Sequence, residues 1–326
     1  MRRISRRDFI KTAVAGGIGA VVIPGMIADG STSRKSDLGK IVFIHDKGFS
    51  KDMRVNPGPL RSAVDSLIKE LTGEGSISEA WRKILVGYKR GDMVGIKVNV
   101  INRRCPSHPE LVYALCESLK EFGVPENDIV IWDRKNRELE RAGYKLNDGK
   151  EGIRCFGTDS PGWGYEEKPT LIEGQEEHLS KILTRCDHLI NVPVLKDHRR
   201  AGVTISMKNH YGSIDSPNLL HDNNCDPFLA RLNAIPEIRD KTRLILLDGI
   251  VGICKGGPGG PPQFSPNILA ASFDTVAIDK FALNLINEER RRRELDEATG
   301  MAKHIRTAAS IGLGTDDEDK IKIVRI

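Results

Sequence analysis

Two knots of lysine and histidine stand out in this chain. Lys196-Asp197-His198 closes the apolar run Leu189–Leu195, and Lys208-Asn209-His210 follows ten residues after His198, sealed by Tyr211 and Gly212. A lysine offers a carboxylate or phosphate a compact cation, and an imidazole moves protons near neutral pH or ligates a metal. The catalytic candidates are therefore Lys196, His198, Lys208 and His210. Lys97 and Asn99 join them as ligand-binding candidates, with Asn209 and Gly212. Lys97 lies inside the apolar stretch Met93–Val100; two residues apart, Lys97 and Asn99 project to one face of a strand. A lysine in such a place is costly unless it is paired or holds an anion, and the plain alternative is an edge-strand lysine facing water. A divalent metal is a further expectation, held by His198, His210, Asp248 and Asp279, with Asp274 as another oxygen donor. No H-x-x-x-H or H-E-x-x-H register links His198, His210 and His221, so on spacing alone they read as separate loop histidines.

Elements must deliver these groups to one place. Strands are expected at Ile41–Ile44, Met93–Val100, Asp128–Trp132, Ile153–Phe156, Leu189–Leu195, Leu244–Leu247, Leu269–Phe273 and Ile321–Ile326. Helical spacing covers Pro59–Leu71, Ser78–Val86, Pro109–Phe122 behind Ser107 as N-cap, Leu179–Thr184, Phe228–Ile238, Thr275–Asn287 and Gly300–Ile311. Strand–helix–strand order with long connections predicts an α/β fold: a mainly parallel sheet, with room for antiparallel members, flanked by helices in a single domain. Several apolar runs end in polar residues, at Asn99, Asp133, Lys196 and Asp248. Ligands of open parallel sheets sit beyond such carboxyl ends, which predicts one cleft shared by Lys97, Asn99, Lys196, His198 and Asp248. Residues 250–262, rich in glycine and proline, are expected as a flexible lid or rim. Their prolines remove the backbone donors a phosphate cradle needs, and no Gly-Lys-Ser/Thr follows.

Composition excludes several classes. Of the net charge of +5, residues 1–30 supply five basic and two acidic side chains, leaving +2 on the rest, without a basic stripe interleaved with aromatics. Nucleic-acid binding is disfavoured. The six cysteines are at least eleven positions apart, so neither an iron–sulfur cluster nor a zinc ribbon is supported, and most are expected as buried small side chains. A Rossmann-type G-x-G-x-x-G after the first strand and a G-x-S-x-G elbow are both missing.

The first thirty residues carry a targeting signal. Ser5-Arg6-Arg7-Asp8-Phe9-Ile10-Lys11 matches the twin-arginine export pattern, followed by a weakly apolar, glycine-containing stretch and Ala28-Asp29-Gly30 as a cleavage site. The expected layout is a signal over 1–30, a linker over 31–40 and an α/β domain over 41–326. The twin-arginine translocase is then a partner, and the mature protein is periplasmic or extracytoplasmic with no stable membrane span; an uncleaved anchor is the other outcome.

The chain resembles the family known as domain of unknown function 362. The resemblance rests on Gly95-Ile96-Lys97-Val98-Asn99, Leu189–His198, Gly202-Val203-Thr204 and Met207–Gly212. It continues through Asp248-Gly249 with Gly257-Pro258 and ends in Phe273–Asp279. It implies frequent export and, in some members, ferredoxin-like iron–sulfur modules, whose cysteine runs this chain lacks. Together these features predict an enzyme acting on a small anionic substrate at a Lys/His/Asp site, with metal assistance as one option. Two alternatives lack catalysis: a periplasmic ligand- or cofactor-binding protein, and an accessory subunit of an exported redox complex.

Overall fold

Five parallel strands form the spine of the molecule. The computed structural model describes residues 38–326, so the twin-arginine segment lies outside the described residues. The strands of the main sheet are β1 (Lys40–His45), β2 (Val94–Lys97), β3 (Ile129–Asp133), β4 (Arg154–Gly157), β5 (His188–Asn191), β6 (Val194–His198), β7 (Gly202–Thr204), β8 (Thr242–Ile253), β9 (Ile268–Ser272) and β10 (Lys322–Arg325). Their order is β10-β1-β9-β8-β5-β2-β3-β4. From β8 to β4 all neighbours are parallel, β9 runs antiparallel to both β8 and β1, and β10 pairs parallel with β1. The fold is thus a single α/β domain on a mostly parallel, mixed sheet.

Alternation along the strands builds two cores. In β8, Leu244 and Leu246 face one side while Ile245 and Leu247 face the other. The first side is covered by α1 (Leu60–Thr72), α2 (Ile77–Ile84) and α3 (Pro109–Phe122). After α4 (Asn136–Arg141), the opposite side receives α5 (Lys181–Arg185), α6 (Ser206–Asn209), α7 (Phe228–Ala234), α8 (Pro236–Arg239), α9 (Thr275–Arg292) and α10 (Lys303–Ser310). No helix among the described residues is long and apolar enough to cross a membrane.

Four local expectations are corrected. The run Leu189–Leu195 is two strands, β5 and β6, broken at Val192-Pro193, where proline has no N–H for a ladder. The strand expected to stop at Leu247 continues to Ile253, so Asp248 lies mid-strand and the start of the glycine-rich segment is sheet. Pro236 splits the helix expected over 228–238 into α7 and α8. Ser107 does not cap α3, whose N-cap is His108; its hydroxyl donates to Val192 O at 2.6 Å and accepts from Asn99 N at 2.8 Å, lacing three segments together.

The fork matters for the site. The first half of β8 pairs with β5 and its second half with β6, which in turn holds β7 antiparallel. Lys196 and His198 are thereby carried past the end of β5, over the carboxyl ends of the parallel strands.

Candidate active site

A buried polar network lies at those carboxyl ends. Lys97 closes β2 and its ammonium donates to Asp133 Oδ1 at 2.8 Å, to Val98 O at 2.6 Å and to Asn209 Oδ1 at 3.3 Å. All three of its protons are thus placed. Burial pulls its pKa down, and Asp133 opposes that. Asp133, the last residue of β3, is equally committed: Oδ1 also accepts Arg134 N and Oδ2 accepts Val100 N. Asn209 joins the strands, receiving Asn99 Nδ2 at 3.1 Å and donating to Asn191 Oδ1 at 2.7 Å. Asn99 Oδ1 accepts Lys196 Nζ at 2.5 Å, and Cys105 O accepts it at 3.0 Å. Lys97 and Asn99 thus reach one network as expected from the sequence, although the strand expected over Met93–Val100 ends at Lys97 and Asn99 lies beyond it.

Gly212 closes this network from above. A Cβ there would stand 2.5 Å from Asp133 Oδ1 and 2.7 Å from Lys97 Nζ, so the position is one of close backbone approach.

Beside the network opens a cleft of about 240 Å³. Its walls come from the strand ends (Lys97, Asn99, Asp133), from Arg134 and Glu138 after β3, from β6–β7 (His198, Thr204), from Lys208, Asn209, Tyr211 and Gly212, and from Pro217, Asn218 and His221. Lys208 Nζ lies 3.1 Å from His221 Nε2 and 3.3 Å above the centroid of the Tyr211 ring. His221 Nδ1 is 2.8 Å from Pro217 O and donates to it, so Nε2 presents a lone pair to the lysine. The ring stacks on His198 at 5.6 Å between centroids. His198 Nδ1 accepts Arg200 N and Ala201 N at 3.1 and 3.0 Å, which leaves the neutral ring's proton on Nε2 as a donor.

The electrostatics of this cluster are unusual. Among the described residues no carboxylate pairs with Lys208, and burial brings its amine down to about 7. Burial first, and the Lys208 charge second, push His198 down to about 3 and His221 to about 4. The cluster thus holds at most one proton's worth of positive charge near neutrality, on Lys208. Two polar groups on the same walls have no protein partner among the described residues: the buried Thr204 hydroxyl and Arg134 Nε. Buried polar atoms normally find partners, so a cleft with spare donors and an uncompensated amine suits an oxygen-rich anion.

The remaining candidates fall elsewhere. Lys196 is wholly buried beneath the cleft rather than on its wall. His210 faces a separate cavity of about 60 Å³; its Nε2 accepts Asn191 Nδ2, and burial, aided by Lys97, pushes it down to about 3. Asp248 accepts His108 N at 2.8 Å and pairs with His108 Nδ1 at 2.7 Å. Burial works against the charged His108 ring, but Asp248 prevails and raises its pKa. Asp279 holds Ser206 N and Met207 N at the start of α6, and Asp274 caps α9 through Val276 N and Ala277 N. The four residues expected to share a metal are thus not assembled: each has its own partners, and no group of three or more His, Cys, Asp or Glu among the described residues is arranged to hold a metal ion.

The glycine-rich segment forms a pinned rim. Asp197 accepts Gly256 N and Gly257 N at 3.1 and 2.6 Å, and Asn102 Nδ2 donates to Pro258 O and Gly260 O. Pro258 reaches the cleft. Asp133 was legible as a strand end but not as part of the cleft, and His221, weighed with His198 and His210, read as a separate loop histidine. Arg134 and Thr204 were missed outright; His221 lies in an irregular segment with no period to follow.

A family model described as "Domain of unknown function (DUF362)" matches residues 94–284. No curated protein matches the chain. Among solved structures, the lactate racemase apoprotein from Thermoanaerobacterium thermosaccharolyticum is similar at 13% identity and a TM-score of 0.41, over 76% of this chain. A structural-genomics protein from Thermotoga maritima is similar at 13% identity and a TM-score of 0.36, over 72% of this chain. The chain spans 57% of the length of each.

Proposed function

The chain belongs to the DUF362 family, a membership that names no reaction, and we propose from the site itself that it is an enzyme acting on a small anionic substrate bound in the Lys208 cleft. The observation that carries this reading is a buried lysine amine with no carboxylate partner among the described residues, on the wall of a donor-rich cavity. A cleft of about 240 Å³ is smaller than drug-sized pockets and suits a compact ligand. In the ligand-free cleft, burial favours the uncharged amine; a bound anion supplies the missing countercharge and favours the ammonium. Lys208 therefore gains or loses a proton as substrate arrives, with His221 Nε2 in hydrogen-bond reach to exchange it. His198 Nε2–H and the Thr204 hydroxyl are the donors available to substrate oxygens. Lys97, Asn99, Asp133 and Asn209 hold the floor rigid, with Lys196 as a positioning residue beneath it.

The test is thermal stabilisation by a panel of small anions (inorganic phosphate, lactate, malonate), compared between wild type and Lys208→Met. Stabilisation by at least one anion, lost in the variant, is expected. If every stabilising anion acts equally on Lys208→Met, the cleft is not the binding site.

The Ser5–Lys11 pattern supports export of the folded protein. Arg6→Lys with Arg7→Lys is expected to retain the protein in the cytoplasm, as measured by cell fractionation; unchanged periplasmic recovery would remove this part of the reading.

A further inference from the structure

We propose that Lys208 captures the carbonyl carbon of a small oxo acid as an imine. The inference rests on the anion-binding reading above and names its substrate class. Three geometric facts point to bond formation rather than ion pairing alone.

First, among the described residues the amine has one polar partner, His221 Nε2, and that partner accepts, which leaves the nitrogen lone pair unengaged by them. By contrast, Lys97 donates to three oxygens, one a carboxylate, and Lys196 donates to two. Lys208 is the cleft-wall lysine without an oxygen partner. Second, the stem is braced: the Tyr211 ring lies beneath Nζ, and the Tyr211 hydroxyl is anchored by donating to Leu220 O. A braced amine limits the orientations from which it meets an electrophile. Third, on the same walls the Thr204 hydroxyl has no hydrogen-bond partner among the described residues and His198 Nε2 carries its ring's proton, so a carboxylate next to the carbonyl can be held while the carbonyl faces the amine. Such attack requires the neutral amine: burial favours it before substrate enters, and once a carboxylate favours the ammonium, His221 Nε2 is in reach to take the proton.

The step balances without an oxidant or reductant. The Nζ lone pair forms an N–C bond as the carbonyl π pair moves to oxygen. His221 Nε2 takes one proton from the now cationic nitrogen and delivers it to the alkoxide, giving the neutral carbinolamine; the remaining N–H proton then follows the same route to its hydroxyl. That hydroxyl leaves as water as the C=N bond forms. One water departs per imine, and hydrolysis reverses the sequence.

Reductive trapping tests this on the full chain. The protein is incubated with pyruvate, or with glyoxylate, and borohydride, then analysed by intact mass and peptide mapping. One reduced adduct per chain on Lys208 is expected, suppressed by an excess of a stabilising non-carbonyl anion and absent in Lys208→Arg. Because the map is read on wild type, the result does not depend on the variant folding. No adduct, or adducts scattered over surface lysines and undiminished in Lys208→Arg, would overturn the proposal. Should trapping fail while small anions still stabilise wild type through Lys208, carbonyl capture is refuted and the anion site stands; failure of both removes both.

Discussion

Lys208 is where protonation and folding are most tightly linked. Its ordinary pKa of 10.5 falls to about 7 in the folded chain, so between those values the unfolded chain binds more protons. Its burial therefore penalises folding fully below pH 7, and the penalty fades as pH rises towards 10.5. Lys208→Met should be more stable than wild type at low pH, by up to about 5 kcal/mol before any packing change, with the gap closing across this window. Urea midpoints at several pH values measure it; a gap independent of pH would mean that the amine is not desolvated. Burial lowers the pKa of Lys97 as well, but its charge is paired with Asp133. Asp133→Asn leaves that ammonium buried without its anion and should cost about 3–5 kcal/mol, read as a lowered urea midpoint. Gly212→Ala, which drives a methyl into both partners, should cost about 1–3 kcal/mol and weaken anion stabilisation as well. The pairing of Lys97 with Asn99 was legible because strand periodicity is local. Its partnerships with Asp133 and with Asn209, which leads into Gly212, were not, because Asp133 and Asn209 lie 36 and 112 residues from Lys97. The metal set failed for a related reason: residue type alone does not reveal that Asp248, Asp274 and Asp279 are already consumed by His108 and by helix N-termini.

At the scale of elements, the fork at Val192-Pro193 decides what the cleft receives. An apolar run reads as one strand unless the proline is taken as a break, and here the break is real because β8 serves both halves. Most strands and long helices were legible from spacing. The short α6, with its 3-10 continuation over His210–Ser213, was not, since four residues carry no period. The rim is a second element with a measurable anchor. Asp197 holds it through two glycine amides and faces Arg290 at 3.6 Å. Asp197→Ala should speed amide exchange across residues 255–262 while the sheet stays protected, as followed by mass spectrometry. Unaltered exchange there would show that Asn102, together with Gln263, whose Oε1 accepts Cys254 N and Lys255 N, suffices.

Over the whole molecule, one sheet carries both cores, and all six cysteines are free and buried within them. Burial raises the thiols, Cys105 to about 11 and Cys155 and Cys186 to about 12, away from the thiolate form that reacts. Native protein should therefore react slowly with a thiol reagent and yield six thiols once denatured; fewer would signal a disulfide. The even cysteine count alone left pairing open, whereas the folded geometry leaves every thiol unpaired.

The two sides of the cleft also differ in how freely they can vary. The floor is a closed set of mutual hydrogen bonds among Lys97, Asn99, Asp133, Asn191 and Asn209, in which a change at one residue strands another. The facing wall, Pro217–Cys225, is a short irregular segment with exposed Asn218, Leu219, Asp222 and Asn223, and it lies outside the main sheet. Drift in that segment reshapes what enters the cleft without disturbing Lys208's supports below. Selectivity among descendants of this scaffold is thus inherited separately from the scaffold itself.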